Sequence, residues 1–141
     1  MFADVKAELM KRAALLIDGD LPALAGRYAY PLAAFLGASR VIVNTRDEMI
    51  AILELLRSEL LRRKVYQILP DITAIDLPRG GRMRAWVRWH EVSTIREENR
   101  ISKVTYYCTL TPAGIRTDML QYTELSMPEL HGALEALALS A

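Results

Sequence analysis

The stretch from Arg82 to Val92 alternates regularly between two kinds of side chain. Successive side chains of a β-strand point to opposite faces, so this stretch predicts one mostly apolar face and one basic face that also carries Trp86 and His90. The predicted apolar face consists of Met83, Ala85, Val87, Trp89 and Glu91. A strand of this kind is expected to lie with one side against a core or cavity and the other toward solvent or a partner subunit.

The N-terminal part of the chain is predicted to be helical. Apolar residues recur every three or four positions from residue 2 to residue 17, which is the spacing of an amphipathic helix. Gly19 is expected to end this helix in the left-handed conformation, and Asp20 to cap a short second helix that runs from Leu21 to Tyr28. Residues 32–36 are expected to form one more helical turn.

A short strand at residues 41–43 is predicted to precede a long helix. Thr45 and Glu48 have the spacing of a capping box, and apolar residues continue at helical spacing to about residue 63. Basic residues near the end of a helix suit its dipole, so we expect a solvated helix end there. These basic residues are Arg57, Arg62, Arg63 and Lys64.

The remainder of the chain is predicted to be a meander of long antiparallel strands followed by a helix. Strands are expected at residues 65–77, with a break or bulge at Pro70-Asp71, and at 82–94, 101–110 and 115–125. Glycine and proline mark turns at residues 78–81 and 111–114, and charged residues 96–100 indicate a solvated hairpin tip. A terminal helix from Glu129 to about Leu139 is expected to dock through Leu130, Leu134 and Leu137.

Composition narrows the class of protein. The 141 residues suffice for one domain with a core, and 18 basic against 17 acidic residues do not favour nucleic acid or an anionic membrane as partner. Cys108 is the only cysteine, which fits a reducing cytoplasm. No apolar run reaches the ~20 residues of a membrane span. With only two histidines, we expect neither a metal site nor a cofactor.

The segment from Ala14 to Tyr28, helix, Gly-Asp and helix, resembles the opening of the nuclear-transport-factor-2-like fold. Polyketide-cyclase-like, ketosteroid-isomerase-like and dehydratase domains share that opening. The resemblance implies one α+β domain over residues 1–141, with a curved antiparallel sheet wrapped around the N-terminal helices into a cone with an internal pocket. It also implies that dimers form through the outer sheet face.

The functional residues of these relatives are not found here. The oxyanion-binding tyrosine of a ketosteroid isomerase would stand at Arg12, and its general-base aspartate would fall in the apolar segment from Tyr30 to Phe35. The resemblance therefore implies the fold and does not imply the isomerase mechanism.

Pairing the predicted strands assigns their faces. If the hairpin tip lies near residues 97–98, Val87 or Trp89 pairs near Cys108 or Tyr106, and a one-residue slip would reverse part of the assignment. An apolar ligand pocket with a few polar groups is the first interpretation of the inner face, and simple core filling is the other. The candidate ligand-binding residues are Tyr28, Tyr30, Trp89, Tyr106, Thr117, Met119 and Gln121.

Two inner-face residues could carry chemistry. Glu91 is the weak catalytic candidate, since desolvation could make it a general base; otherwise it is solvated at the rim or paired with an arginine. Cys108 is expected to be an apolar filler, because His90 falls on the other face.

The outer face mixes aromatic residues with arginines, a composition that favours protein interfaces. We expect a homodimer through this face; anion or nucleic-acid binding is the alternative. The candidate interface residues are Trp86, Arg88, Tyr107, Leu120 and Tyr122.

Three functions remain open at this point. The first is binding of a small apolar or aromatic molecule, the second is an enzyme of isomerase, cyclase or dehydratase type, and the third is a dimerising module with a vestigial pocket.

Overall fold

The computed structural model describes residues 1–94, 100–126, 130, 132–134 and 136 of the chain, and its architecture is α+β. The elements follow one another with two of the helices ahead of the first strand. They are α1 (Phe2–Asp18), α2 (Leu21–Ala25), β1 (Tyr28–Leu36), β2 (Ser39–Val43), α3 (Arg46–Arg62), β3 (Val65–Ile75), β4 (Arg82–Ser93), β5 (Ile101–Thr111) and β6 (Gly114–Glu124).

The strands form one curved sheet in the order β2-β1-β6-β5-β4-β3. Neighbouring strands run antiparallel, as predicted, except that β1 and β6 are parallel. Within the described residues the sheet is not closed, because β2 and β3 each have a partner strand on one side only. Buried residues of α1, α3 and the sheet join in one apolar cluster, so the helices cover the concave face.

The helical turn predicted at residues 32–36 is wrong, because these residues belong to β1. β1 lies between β2 and β6, with Leu32 opposite Val43 and Ala34 opposite Leu120. An inner strand that is apolar on both faces shows a continuous apolar run, which periodicity cannot distinguish from a helical turn. Because β1 begins at Tyr28, α2 ends at Ala25, three residues before its predicted end.

The predicted caps of the helices are confirmed. Gly19 has a φ of 87°, and the side chain of Asp20 accepts a hydrogen bond from the Ala23 amide at 3.3 Å. At α3, Thr45 accepts from the amide of Glu48 at 3.2 Å. The Glu48 carboxylate accepts from the amide of Asn44, at 2.6 Å, and not from that of Thr45.

The basic end of α3 is only in part the solvated cluster that the sequence predicts, because Arg62 and Lys64 are exposed whereas Arg63 is buried. Arg57 donates to the carbonyl oxygens of Leu16 at 3.1 Å and Ile17 at 3.2 Å, which lie in the last turn of α1. Arg63 is buried with 4% of its surface exposed, and it reaches Glu91 on β4. Two of the basic side chains therefore connect α3 to neighbouring elements.

The break predicted at Pro70-Asp71 is also wrong. Both residues pair regularly with β4, while the register shifts lie near Tyr66 and Thr73. Proline is tolerated there because β3 is an edge strand, so the missing N–H faces away from the ladder.

The glycine turn between β3 and β4 is confirmed, since Gly80 and Gly81 have φ values of 59° and 74°. The predicted hairpin tip at 96–100 lies almost wholly outside the described residues, as does Leu137 of the terminal helix. Residues 132–134 and 136 are helical, Leu134 is buried, and Leu130 packs against the core. None of the helices in the described ranges is long and apolar enough to cross a membrane.

Gly19 offers a test of the α1–α3 connection. Gly19→Ala is expected to lower the free energy of unfolding by about 1–2 kcal/mol, because a left-handed backbone disfavours a Cβ. That Cβ would also stand 3.0 Å from Arg57 Cζ. Gly37→Ala is the matched control, because Gly37 has a φ of 63° with nothing within 4 Å of the added Cβ. Urea unfolding should show the larger loss at Gly19, and equal losses would contradict the Arg57 contact.

Candidate functional site

A bulge in β6 decides which side chains face the helices. Thr117 pairs with Cys108 as predicted, but Met119 pairs with Tyr107 and not with Tyr106, so that Asp118 is an extra residue. From Met119 to Tyr122 the side chains of β6 therefore lie on the face opposite to the predicted one, and a second register shift follows at Thr123.

The hairpin of β4 and β5 also departs from the predicted register, but its side chains keep their predicted faces. Val87 pairs with Val104, and Trp89 with Ser102, which is a shift of four residues from the predicted partners. An even shift preserves the faces, so the apolar side of β4 lies inward as predicted.

The inner face of the sheet, α1 and α3 line a partly open cavity of about 100 Å³. One water molecule needs roughly 10–15 Å³ on this measure, so the cavity could hold a small molecule. Its walls are mostly leucine, isoleucine and aromatic side chains, with charged groups at two places. The residues that line it are Arg12, Ala13, Leu16, Leu24, Tyr28, Leu53, Leu56, Leu60, Ile68, Trp89, Glu91, Ser102, Tyr106, Tyr122, Leu125 and Ser126.

Arg12 of α1 forms the first charged place. Its Nε donates to Glu8 at 2.8 Å and its Nη1 to the hydroxyl of Thr117 at 2.7 Å, and only 4% of its surface is exposed. Nη2 donates to the carbonyl oxygen of Arg27 at 3.3 Å. Arg27 itself donates to the other oxygen of Glu8 at 3.0 Å, so this cluster holds two guanidinium groups and one carboxylate.

Two aromatic side chains lie against Arg12, and a third supports one of them. The guanidinium carbon lies 5.0 Å from the ring centre of Tyr28 and 5.9 Å from that of Tyr106, which is within cation–π range. The indole Nε1 of Trp89 donates to the Tyr106 hydroxyl at 2.8 Å. These contacts hold the rings against the cavity.

Burial keeps the phenols neutral. Burial raises the pKa of Tyr28, although the charge of Arg12 opposes the shift. Burial also raises the pKa of Tyr106 and of Tyr122, and that of Tyr30 to about 12. Desolvation alone would lower the pKa of Arg12, but the neighbouring Tyr28 and Glu8 outweigh it and raise the value. Arg12 is therefore charged while the phenols retain their protons as hydrogen-bond donors.

Glu91 and Arg63 form the second charged place. Arg63 Nη1 lies 2.7 Å from Glu91 Oε1, and both side chains are almost fully buried. The Ser126 hydroxyl donates to Glu91 Oε2, and the Ser126 amide donates to Ser102 Oγ at 2.9 Å. Glu91 is thus the arginine-paired carboxylate of the second interpretation. The same contacts tie the end of β6 to β4 and β5.

The candidate ligand-binding residues separate into three groups. Tyr28, Trp89 and Tyr106 line the cavity. Thr117 is fully buried behind Arg12, and Tyr30 donates its hydroxyl to the carbonyl oxygen of Ala25 at 2.6 Å without lining the cavity. The remaining two, Met119 and Gln121, lie on the outer face because of the bulge at Asp118, so their predicted inward placement is wrong.

The candidate interface residues fall into two groups, according to the face of the sheet on which they lie. Trp86, Arg88 and Tyr107 lie along an open groove on the outer face, together with Gln121. The guanidinium of Arg84 lies 4.9 Å from the Trp86 ring centre. The predicted outward placement of the other two is wrong. They are Leu120, which is buried, and Tyr122, which lines the cavity.

Sequence reasoning missed the role of Arg12. A signal for it exists in the chain, because Arg12 lies three residues after Leu9 and four before Leu16, on the apolar face of α1. Glu8 lies four residues before it, which is the spacing of a helical ion pair. A charged residue inside an apolar stripe with a partner one turn away indicates a buried pair.

Neither cysteine chemistry nor metal chemistry has support at this site. Burial raises the pKa of Cys108, whose Sγ lies 3.7 Å from Thr117 Oγ1. His90 lies on the outer face, with Nε2 3.9 Å from Asp71. In the described ranges no three His, Cys, Asp or Glu side chains are placed to hold a metal ion.

The buried phenols predict a loss of stability at high pH. Four of the six tyrosines have a folded-state pKa above the ordinary value of 10.0. A raised folded pKa gives a stabilisation that is complete below pH ~10 and is lost as the pH rises through the folded value. Absorbance at 295 nm should show four phenols ionising late and together with unfolding. Ionisation of all six near pH 10, with the fold intact, would contradict the prediction.

Comparisons with known proteins identify the fold. No protein-family model matches the chain, and no curated protein matches it either. Solved structures match across nearly its whole length, and they have the nuclear-transport-factor-2-like, cystatin-like fold that the resemblance implied.

Three of these structures illustrate the range. A nuclear-transport-factor-2-like protein from Novosphingobium aromaticivorans has a TM-score of 0.65 at 16% identity, covering 96% of this chain and 86% of its own. ActVI-ORFA from Streptomyces coelicolor has a TM-score of 0.63 at 16% identity, covering 87% and 96%. The beta subunit of benzoate 1,2-dioxygenase from Burkholderia mallei has a TM-score of 0.66 at 13% identity, covering 96% and 97%. At these identities the similarity shows the fold alone.

Proposed function

We propose that this protein binds a small, largely apolar or aromatic molecule in the cavity between α1, α3 and the sheet. The observation that carries the proposal is an apolar cavity whose wall includes a buried, charged Arg12. Protein interiors are normally close-packed, and small-molecule sites combine apolar walls with a few fixed polar groups. The residues proposed to contact the ligand are Tyr28, Trp89, Tyr106 and, in place of Met119 and Gln121, Arg12 and Tyr122.

Filling the cavity tests this function. Leu56→Trp places a larger side chain in the cavity wall, whereas Leu61→Trp is a matched control at a residue that is 44% exposed. Benzene and hexan-1-ol are the probes, with binding followed by nuclear magnetic resonance and by native mass spectrometry of the purified protein. The control variant should bind and Leu56→Trp should not. If the unmodified protein binds neither probe, the proposal fails.

Binding is preferred to catalysis because of the state of Glu91. A general base must be free to take a proton from the substrate, but Arg63 and Ser126 hold both oxygens of this carboxylate. An isomerase, cyclase or dehydratase of this fold would have to use another group. The cavity wall offers Arg12 and three phenols, which favour holding an oxygen atom over abstracting a proton.

We also propose that the outer face forms a homodimer. Trp86, Arg88 and Tyr107 lie along the outer groove, and the bulge adds Met119 and Gln121 to the same face. Aromatic residues, methionine and arginine are enriched at interfaces. The composition of this groove therefore supports the pairing of two sheets through their outer faces.

Trp86→Asp should convert the dimer to a monomer, because it places a charge in the middle of the proposed interface. Sedimentation velocity would measure the change in mass. Leu77→Asp is the control, because Leu77 is 89% exposed beyond the end of β3. A monomeric unmodified protein, or a Trp86→Asp variant that remains dimeric, would overturn the assignment.

A further inference from the structure

A second cavity lies beside the first. It has a volume of about 70 Å³ between β1, β2 and α3, and Tyr28 and Tyr122 line both cavities. Its other walls are aliphatic side chains, with no charged residue among those described. They include Leu32, Ala34, Val41, Val43, Met49 and Leu134. The two cavities therefore adjoin at these tyrosines, with Arg12 on the side of the first cavity and only apolar side chains on the far side of the second.

The Arg12 end of the first cavity has more hydrogen-bond donors than acceptors. The indole of Trp89 can only donate, so the Tyr106 oxygen must accept from it, and the proton of that phenol is left for another acceptor. Arg12, which likewise can only donate, lies beside Tyr28. Among the described residues no carboxylate or backbone carbonyl accepts from the hydroxyls of Tyr28, Tyr106 or Tyr122, whereas Tyr30 does have such an acceptor.

The three phenols also lie close together, since all of them line the first cavity. Tyr106 interacts electrostatically with both Tyr28 and Tyr122, and Tyr122 interacts with Tyr28. Several hydroxyl donors that line one space are best satisfied by an oxygen that accepts without donating. A ligand oxygen at this place would receive several hydrogen bonds at once.

Charge favours an anionic oxygen. The carboxylate of Glu8 is shared between Arg12 and Arg27, so one carboxylate balances two guanidinium groups. Arg27 keeps 28% of its side chain exposed to solvent, whereas Arg12 keeps 5%. A carboxylate near the buried Arg12 would form charge-assisted hydrogen bonds, which are roughly twice as strong as neutral ones.

We propose that the ligand is a small monocarboxylic acid with an apolar body. Its carboxylate binds the hydroxyls of Tyr28 and Tyr106 beside Arg12, and its body passes Tyr122 into the second cavity. At the other charged place the guanidinium of Arg63 is already paired with Glu91, so the Arg12 end is the more favourable place for the carboxylate of the acid. This inference rests on the proposed function, because it assigns a chemical class to the same cavity.

Three probes of equal chain length test the class: hexanoate, hexan-1-ol and hexylamine. With only two tryptophans in the chain, Trp86→Phe leaves Trp89 as a fluorescent reporter in the cavity wall, and calorimetry gives the affinities. Hexanoate should bind about tenfold more tightly than hexan-1-ol, the gain expected from a charge-assisted hydrogen bond. Hexylamine should not bind. Equal affinities for the three probes would overturn the inference and leave the proposed function standing, whereas no binding of these probes or of benzene would overturn both.

Variants locate the two ends of the acid. Tyr28→Phe removes a hydroxyl and keeps the ring, so it should weaken hexanoate about tenfold and hexan-1-ol by less. Ala34→Leu fills the second cavity and should weaken hexanoate while leaving propanoate unchanged. Ala33→Leu is the matched control, since Ala33 precedes Ala34 on β1 and faces the other way. Equal losses of hexanoate and hexan-1-ol in Tyr28→Phe, or equal effects of Ala33→Leu and Ala34→Leu, would contradict the proposed orientation.

Discussion

Arg63→Met is expected to lower the free energy of unfolding by about 3–5 kcal/mol, because it leaves the Glu91 carboxylate buried without its cation. Both side chains are almost fully buried, and Arg63 Nη1 lies 2.7 Å from Glu91 Oε1. The loss includes the docking of the segment after β6, since Ser126 donates to the same carboxylate. Urea unfolding followed by circular dichroism would measure it.

Two further variants show whether the unpaired charge is the cause. Arg63→Met combined with Glu91→Leu should recover most of the lost stability, because two apolar groups replace both charges. Lys103→Met is the control at an exposed pair, 3.4 Å from Glu124 with 49% and 56% of the side chains exposed, and should cost less than about 1 kcal/mol. A double variant no more stable than Arg63→Met would refute the explanation.

Glu8→Gln is expected to cost about 3 kcal/mol, because Arg12 would keep its charge in a buried place without a carboxylate. Arg12→Met should cost less, since Glu8 would still have Arg27 at 3.0 Å. The two partners of one ion pair should therefore have unequal effects. Urea unfolding of both variants measures the difference directly.

The double variant Glu8→Gln with Arg12→Met completes this cycle. It should be more stable than Glu8→Gln alone, because it removes the unpaired guanidinium. Asp4→Asn is the control on the exposed face of α1, where the side chain is 76% exposed, and should change stability by less than about 0.5 kcal/mol. If Arg12→Met is the more damaging single change, the shared-carboxylate arrangement is not what stabilises this end of the cavity.

Local signals predicted the helix ends and the inner side of β4 well. Gly19, Asp20 and Thr45 act on backbone groups within a few residues of themselves, so their roles can be derived without knowing the rest of the fold. The alternation from Arg82 to Val92 has a similar local basis. The residues of these segments are therefore sufficient to predict their local structure.

The predictions that proved wrong share a different cause. In each case the structure of a segment depends on neighbouring segments that are distant in the sequence. The sequence of residues 32–36 does not indicate that β1 lies between two strands. The sequence around Arg63 likewise does not indicate that Glu91 is its ion-pair partner. The bulge at Asp118 has no glycine or proline to mark it, and this single residue misplaced Met119, Leu120, Gln121 and Tyr122 together. Four of the twelve candidate ligand-binding and interface residues were therefore out of reach of pattern reasoning.

The extra residue in β6 also determines how this strand tolerates changes in length. Removing Asp118 would leave Leu120 opposite Tyr106 and Tyr122 opposite Val104, because the present register already passes over one residue. A deletion farther along the strand, at Gln121 for instance, would instead send Tyr122 to the solvent side. When this chain is aligned with relatives whose β6 is one residue shorter ahead of Tyr122, the gap therefore belongs at Asp118, and a gap placed between Met119 and Gln121 would compare cavity residues with surface residues.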